Sequence, residues 1–171
     1  MPRVSKRQLL SVLEPFDKQL SHKILLIAVG GTAMTLLGVK ASTKDIDLNI
    51  PSRIDYNEFR RLYRKISPGV TIDYYGSNMV FSEVLPTDYT VKASDYKSSF
   101  KNIKIKILHP IDIVCSKISR SSDADMEDIE SCIKAYKLKK SDVTRRAKLY
   151  SRAGSDEVFR SNLKAILENM F

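Results

Sequence analysis

The sequence predicts an α+β fold: a mixed β-sheet flanked by helices, with a helical C-terminal region. Three observations carry this. Short apolar runs of strand length alternate with stretches of helical periodicity as far as residue 108. From His109 onward the periodicity is helical throughout. The 171 residues suit one domain with a sizeable core, comprising an α/β part over 1–108 and a helical part over 109–171.

The elements follow in order. "SKRQLLSVLEPFDKQL" puts Leu9, Leu10, Leu13 and Phe16 at helical spacing, an amphipathic helix that Pro15 is expected to kink or end. "KILLIAV" has the pattern of a buried strand bounded by Gly30-Gly31, and "TAMTLLG" that of a short helix stopped by Gly38. "KDIDLNI" alternates strictly, with Asp45, Asp47 and Asn49 on one face and Ile46, Leu48 and Ile50 on the other. Pro51 closes it. "DYNEFRRLYRKI" follows as a helix with Asp55 as its N-cap. "GVTIDYYGS" is a third strand and "NMVFSEVL" a fourth, while residues 86–100 are polar and turn-rich. "KNIKIKIL" alternates Lys with Ile, the pattern of an edge or one-side-solvated strand. His109-Pro110 opens a helix, "PIDIVCSKISR", with proline at its first position. Ser121-Ser122 interrupts the chain before "DADMEDIESCIKAY". Two more helical segments, near 141–152 and 155–170, finish it.

Composition narrows the function classes. Hydrophobic residues make up 43% and charged residues 29%, ordinary for a globular protein. No apolar run approaches the ~18 residues of a spanning helix. The basic N-terminus lacks the apolar core of a secretory signal, so a cytoplasmic protein with no membrane partner is expected. Cys115 and Cys132 lack metal-ligand spacing and are expected as free thiols. The net charge of +9 favours polyanionic partners, although a merely solvated surface would look the same. Basic residues are densest in "KAYKLKKSDVTRRAKLYSR", where Asp142 is the only acid. Placed beside the sheet, this stretch is expected to track an RNA backbone.

Asp45 and Asp47 raise a chemical question, because aspartate is a poor strand former. At i and i+2 on a strand they share a face, ~7 Å apart along the backbone, and can converge on one site. Two such carboxylates raise each other's pKa unless a cation lies between them. Mg²⁺ suits, since it takes one or two carboxylates plus substrate phosphates. A pair of such ions clamps in-line displacement at phosphorus. Upstream, Gly30-Gly31 ends a strand and Thr32 opens a helix, which would direct backbone N–H groups at a phosphate. A tight turn that merely needs glycine is the alternative. The spacing fits neither a Walker loop nor a dinucleotide-binding turn.

Together, "VGGTA" and "TKDIDL" resemble the motif of the DNA polymerase beta superfamily of nucleotidyltransferases. The likeness is nearest to its minimal, AbiEii-like branch of toxin-related proteins and covers residues 24 to about 130. Such a resemblance implies a nucleotidyltransferase fold and a third acid on a later strand, a slot that Asp73 in "VTIDYYG" fits. It further implies a helical lysine followed by an Asp-x-x-Asp pair, matched by Lys117 and by Asp125 with Asp128. By the same resemblance Asp45, Asp47 and Asp73 would bind two Mg²⁺ ions, with Asp73 on the acceptor side. Gly30, Gly31 and Thr32 would hold the NTP triphosphate, Lys117 would neutralise its charge, and Asp125 and Asp128 would complete nucleotide binding. One departure is Lys44, next to the slot where the branch often carries arginine. The implied reaction moves an NMP from an NTP to an acceptor hydroxyl, on an RNA or tRNA 3′ end or on a protein, and releases pyrophosphate. A toxin–antitoxin context would add an antitoxin-type protein partner. The alternative is a catalytically inactive nucleotidyltransferase-like module that binds nucleic acid or a partner. The presence of all three acids disfavours it.

Overall fold

A computed structural model describes residues 3–171. In chain order the elements are β1 (Val4–Ser5), α1 (Lys6–Gln19), β2 (Ile24–Ala28), α2 (Gly30–Leu36), β3 (Ser42–Thr43), β4 (Ile46–Ile50), α3 (Arg53–Ile66), β5 (Ile72–Gly76), β6 (Met79–Val80), β7 (Glu83–Val84), α4 (Tyr89–Lys92), β8 (Ser94–Tyr96), β9 (Ile103–Ile107), α5 (Pro110–Lys117), α6 (Asp123–Tyr136), α7 (Lys140–Ala147), β10 (Ser151–Arg152) and α8 (Asp156–Asn169).

The main sheet is mixed, in the order β5-β4-β2-β9-β8. β4 runs antiparallel to β2 and parallel to β5, while β9 runs parallel to β2. β9 is therefore an inner strand rather than an edge, because β8 pairs along its outer side. Its one-sided solvation does hold: Ile103, Ile105 and Ile107 are buried and Lys104 is exposed. Which strand lies at an edge depends on pairing partners far along the chain, and an alternating pattern records only the two faces.

Local signals place most helix starts. Ser5 caps α1 through a reciprocal box with Gln8, whose Oε1 accepts from the Ser5 N–H at 2.9 Å. Pro15 does not end α1; the helix continues to Gln19. Phe16, just beyond it, is fully buried and stacks on Phe59 of α3 with ring centroids 4.8 Å apart, which offsets the lost backbone hydrogen bond. The α3 cap is Ser52, which accepts from the N–H of Asp55; Asp55 itself sits in the first turn and binds His22 at 3.1 Å.

Two expected elements divide. The predicted fourth strand is a hairpin, β6 and β7, turning through Phe81 at a left-handed φ of +55°. It joins β10 in a separate three-stranded sheet. The helix expected over 141–152 stops at Ala147, and Ser151–Arg152 pair with β7 instead. Arg152 explains the change. Its Nε reaches the fully buried Glu83 at 3.3 Å and its guanidinium lies 3.6 Å from the centre of the Phe159 ring. Among the described residues, no helix is long and apolar enough to cross a membrane.

A second buried charge group joins α5 to α7. Asp112, 0% exposed, accepts from Arg146 Nε at 2.6 Å and Nη2 at 2.9 Å, and from the Tyr150 hydroxyl at 2.8 Å. Asp88 takes the Arg146 Nη1 at 2.7 Å. Arg146, expected on a nucleic-acid face, is thus a core residue, because its guanidinium is the cation that offsets the buried Asp112 charge among the described residues.

Candidate active site

A cleft of about 670 Å³ takes in Asp45, Asp47, Asp73, Lys117, Asp125 and Asp128. Pairing of β4 with β5 puts Asp47 directly opposite Asp73, so both side chains leave the same face of the sheet. Asp45 stands in the bend just before β4 rather than within the strand. Asn49, on the Asp47 face, has a structural part. It is fully buried, donates to the carbonyls of Ser77 at 2.9 Å and Met79 at 3.0 Å, and accepts from the Tyr89 hydroxyl at 2.8 Å.

The glycine turn is pressed against these acids. α2 starts at Gly30, two residues earlier than expected, and Gly30 has a φ of +51°. A Cβ there would lie 3.0 Å from both Asp47 Oδ2 and Phe81 Cζ. At Gly31 a Cβ would come within 2.6 Å of Thr43 Oγ1. Thr32 is fully buried, and its hydroxyl accepts from the Asp47 N–H at 2.8 Å and donates to the Asp45 carbonyl at 3.3 Å. Of the three residues expected at the triphosphate, Gly31 alone lines the cleft. Thr32 instead fixes the backbone that carries both aspartates. Gly31→Ala should therefore destabilise the fold by about 1–3 kcal/mol, as overpacking does. Thermal unfolding without nucleotide checks this; an unchanged midpoint would show that Thr43 moves aside freely.

The carboxylates perturb one another. Burial, then the Asp73 charge, pushes Asp47 up to about 7, against the opposing pull of Lys117 and Arg120. Asp73 is also raised, by burial and then by Asp45. Acids held this close resist full ionisation, and a hard divalent cation relieves that. Among the described residues, no three His, Cys, Asp or Glu side chains stand close enough together to hold a metal ion between them. The donor set nonetheless fits Mg²⁺, which keeps waters and phosphate oxygens in its shell and needs few protein ligands.

Lys117, Asp125 and Asp128 come together, but with one another. Lys117 is buried, its Nζ 2.7 Å from Asp125 and 3.0 Å from Asp128. Burial alone would raise Asp125. Hydrogen bonds from Lys117, Ser122 and Arg120 overcome that and take it down to about 2. Asp125 and Asp128 thus serve as anchors for cations in this arrangement.

Comparison with known families matches residues 7–163 to a family described as "Nucleotidyltransferase of unknown function (DUF6036)". The chain belongs to this nucleotidyltransferase family. Among solved structures it is similar to an antigenic nucleotidyltransferase-like protein from Paracoccidioides brasiliensis, with a TM-score of 0.54 and 15% identity. The likeness covers 98% of this chain and 90% of that one, and it establishes the α+β fold with a mixed sheet flanked by helices. Curated protein sequences give no match. The family description names no acceptor and no toxin-related branch.

This nucleotidyltransferase places three further cations at its cleft that no sequence motif marks: Arg3, Lys40 and Arg120. Arg120 Nη2 binds Asp125 at 2.6 Å, and its guanidinium lies 3.8 Å from the centre of the Phe81 ring. Lys40 Nζ binds Asp128 at 2.6 Å. Arg120 follows Lys117 by three residues, a spacing that could have drawn attention to it. Lys40 carried no such signal, since 88 positions separate it from its partner.

Proposed function

We propose that this protein is a Mg²⁺-dependent enzyme that moves a nucleoside monophosphate from an NTP to an acceptor hydroxyl and releases pyrophosphate. The single observation that supports it best is the register of β4 on β5, which sets Asp47 beside Asp73 at a cleft that also takes Asp45 and Lys117. Asp45, Asp47 and Asp73 would hold the metal, which when bound supplies charge neutralisation at the phosphates.

The chain's own residues do the rest. Asp73 is the most open of the three acids, on the outermost strand, where an acceptor hydroxyl can approach and give up its proton. The acceptor oxygen then attacks the α-phosphorus as the bond to pyrophosphate breaks. Arg120 and Lys40 are partly exposed and can turn toward phosphate oxygens, while buried Lys117 keeps Asp125 and Asp128 neutralised. Gly31 lines the cleft and, without a Cβ, lets Thr43 pack against the turn. An RNA 3′ end is the acceptor that the basic surface favours, with a protein hydroxyl as the other class. The order of Lys117, Asp125 and Asp128 supports kinship with the AbiEii-like branch, which would bring an antitoxin-type partner.

The test supplies each α-labelled NTP in turn with Mg²⁺ and total RNA or total protein. Label from at least one NTP should enter an acceptor, and EDTA should abolish the transfer. No labelled acceptor with any NTP would overturn the proposal.

A further inference from the structure

The basic stretch after Lys134 does not supply a continuous cationic track. Arg146 and Arg152 are withdrawn into buried ion pairs, and Lys134 and Arg145 bind Glu130 and Asp142 on their own helices. α3 presents a different picture. Residues 53–65 hold Arg53, Arg60, Arg61, Arg64 and Lys65 against Asp55 and Glu58. Asp55 is taken by His22, and Glu58 by Arg61. Arg60 and Arg64 are exposed and make no ion pair among the described residues.

Their position matters more than their charge. Tyr56, Arg60, Tyr63 and Arg64 fall at i, i+4, i+7 and i+8, one side of the helix over about 12 Å. That side packs on Tyr74 of β5, whose ring lies 5.4 Å from those of Tyr56 and Tyr63. All three tyrosines are half-buried. Arg60 and Arg64 stand one and two turns along α3 from Tyr56, on the flank of the helix that carries Tyr63. β5 is the outermost strand, and alternation turns Asp73 and Tyr75 into the cleft while Tyr74 faces α3. Asp73 and the arginine–tyrosine face therefore lie on opposite sides of this edge strand.

We propose that the Tyr56–Arg60–Tyr63–Arg64 side of α3 docks the acceptor, a single-stranded polynucleotide whose 3′ end passes over β5 to reach Asp73. This rests on the transferase reading for its direction, but binding itself does not. Arginines that hold phosphates beside open aromatic faces that stack bases are the combination single strands require. The surface suits a polyanion because Arg60 and Arg64 are exposed without an acid partner among the described residues, while Glu58 is paired with Arg61.

Fluorescence anisotropy with a labelled 12-nucleotide RNA, and with DNA of the same sequence, tests it in EDTA without NTP. In Arg60→Gln/Arg64→Gln, two lost phosphate contacts should lower the salt slope by about 1.4 and weaken binding about 25-fold at 0.1 M salt. Tyr63→Leu should weaken binding about tenfold with the slope unchanged, a split that a general loss of charge or fold would not give. Lys139→Gln/Lys140→Gln serves as the control and should stay within about twofold. Loss in the RNA arm, the DNA arm or both supports the proposal and names the polymer. Unchanged affinity and slope in both arms overturns it, as does an equal loss in the control or equal binding of a poly-glutamate peptide. Because binding is read in EDTA without NTP, failure of the transfer chemistry leaves this result standing, and the reverse also holds.

Discussion

Asp47→Asn is expected to lower nucleotidyl transfer by at least about 100-fold while making the metal-free protein more stable at pH 8. The two effects have one cause. Burial and the Asp73 charge hold the Asp47 carboxyl at about 7 in the folded protein, against 3.8 ordinarily. Because the folded value is the higher one, the fold binds this proton more tightly than the unfolded chain does. The associated stability is fully present below about pH 4 and is lost as pH rises through about 7. Asparagine resembles the protonated acid and escapes that loss. Melting in EDTA should therefore show the variant about 1–4 kcal/mol more stable at pH 8 and nearly equal to wild type at pH 4. Adding Mg²⁺ at pH 8 should raise the wild-type midpoint and leave the variant's alone, because the ligand binds the folded state. On the proposed reading, loss of transfer would follow from losing a carboxylate that would hold the metal beside the reacting phosphate. A variant no more stable at pH 8 than at pH 4, relative to wild type, would mean that Asp47 is not an electrostatically opposed buried acid.

Arg146→Ala is expected to destabilise the protein by about 3–5 kcal/mol, enough to lower the unfolding midpoint by roughly 10 °C. The substitution strands Asp112, which is 0% exposed and would keep only the Tyr150 hydroxyl and the first turn of α5 around it. A buried carboxylate without its cation must either take up a proton or force the packing of α5 on α7 apart. Arg145→Ala, one residue earlier, should change stability by no more than about 0.5 kcal/mol. Its guanidinium is exposed and pairs only with Asp142 on the same helix. Denaturant unfolding of the two variants side by side makes the comparison. Equal stability would show that the Asp112 group adds nothing net. The contrast also governs how any nucleic-acid surface is mapped here, since a loss of binding on removing Arg146 would reflect a weakened fold rather than a lost phosphate contact.

Much of this molecule was legible from local pattern. Alternation in "KDIDLNI" and "IDYYG" locates the strands that carry Asp47 and Asp73, because side-chain period follows directly from strand geometry. Pro110 after His109, and the aspartates and serine at the start of α6, place two helix starts through capping chemistry that acts over three or four residues. The glycine pair and the acid-x-acid strand pointed to a nucleotidyltransferase, the family to which the chain belongs.

Other features depend on which distant segments meet. Nothing near Lys40 announces Asp128, and nothing near Glu83 announces Arg152. Thr32 resembles any helix-opening threonine until β4 folds back and engages its hydroxyl. Arg145 and Arg146 are indistinguishable as letters, yet one is solvated and the other completes a buried carboxylate. The sequence by itself determined most of the longer helices and strands and where the candidate acids and the glycine turn fall along them, because each is written in the geometry of a few consecutive residues. Only the tertiary structure decided strand order, the partners of the cleft cations, and which basic residues remain free to meet a polyanion. Burial and charge pairing are properties of packing between segments, and a residue's neighbours in the chain do not record them.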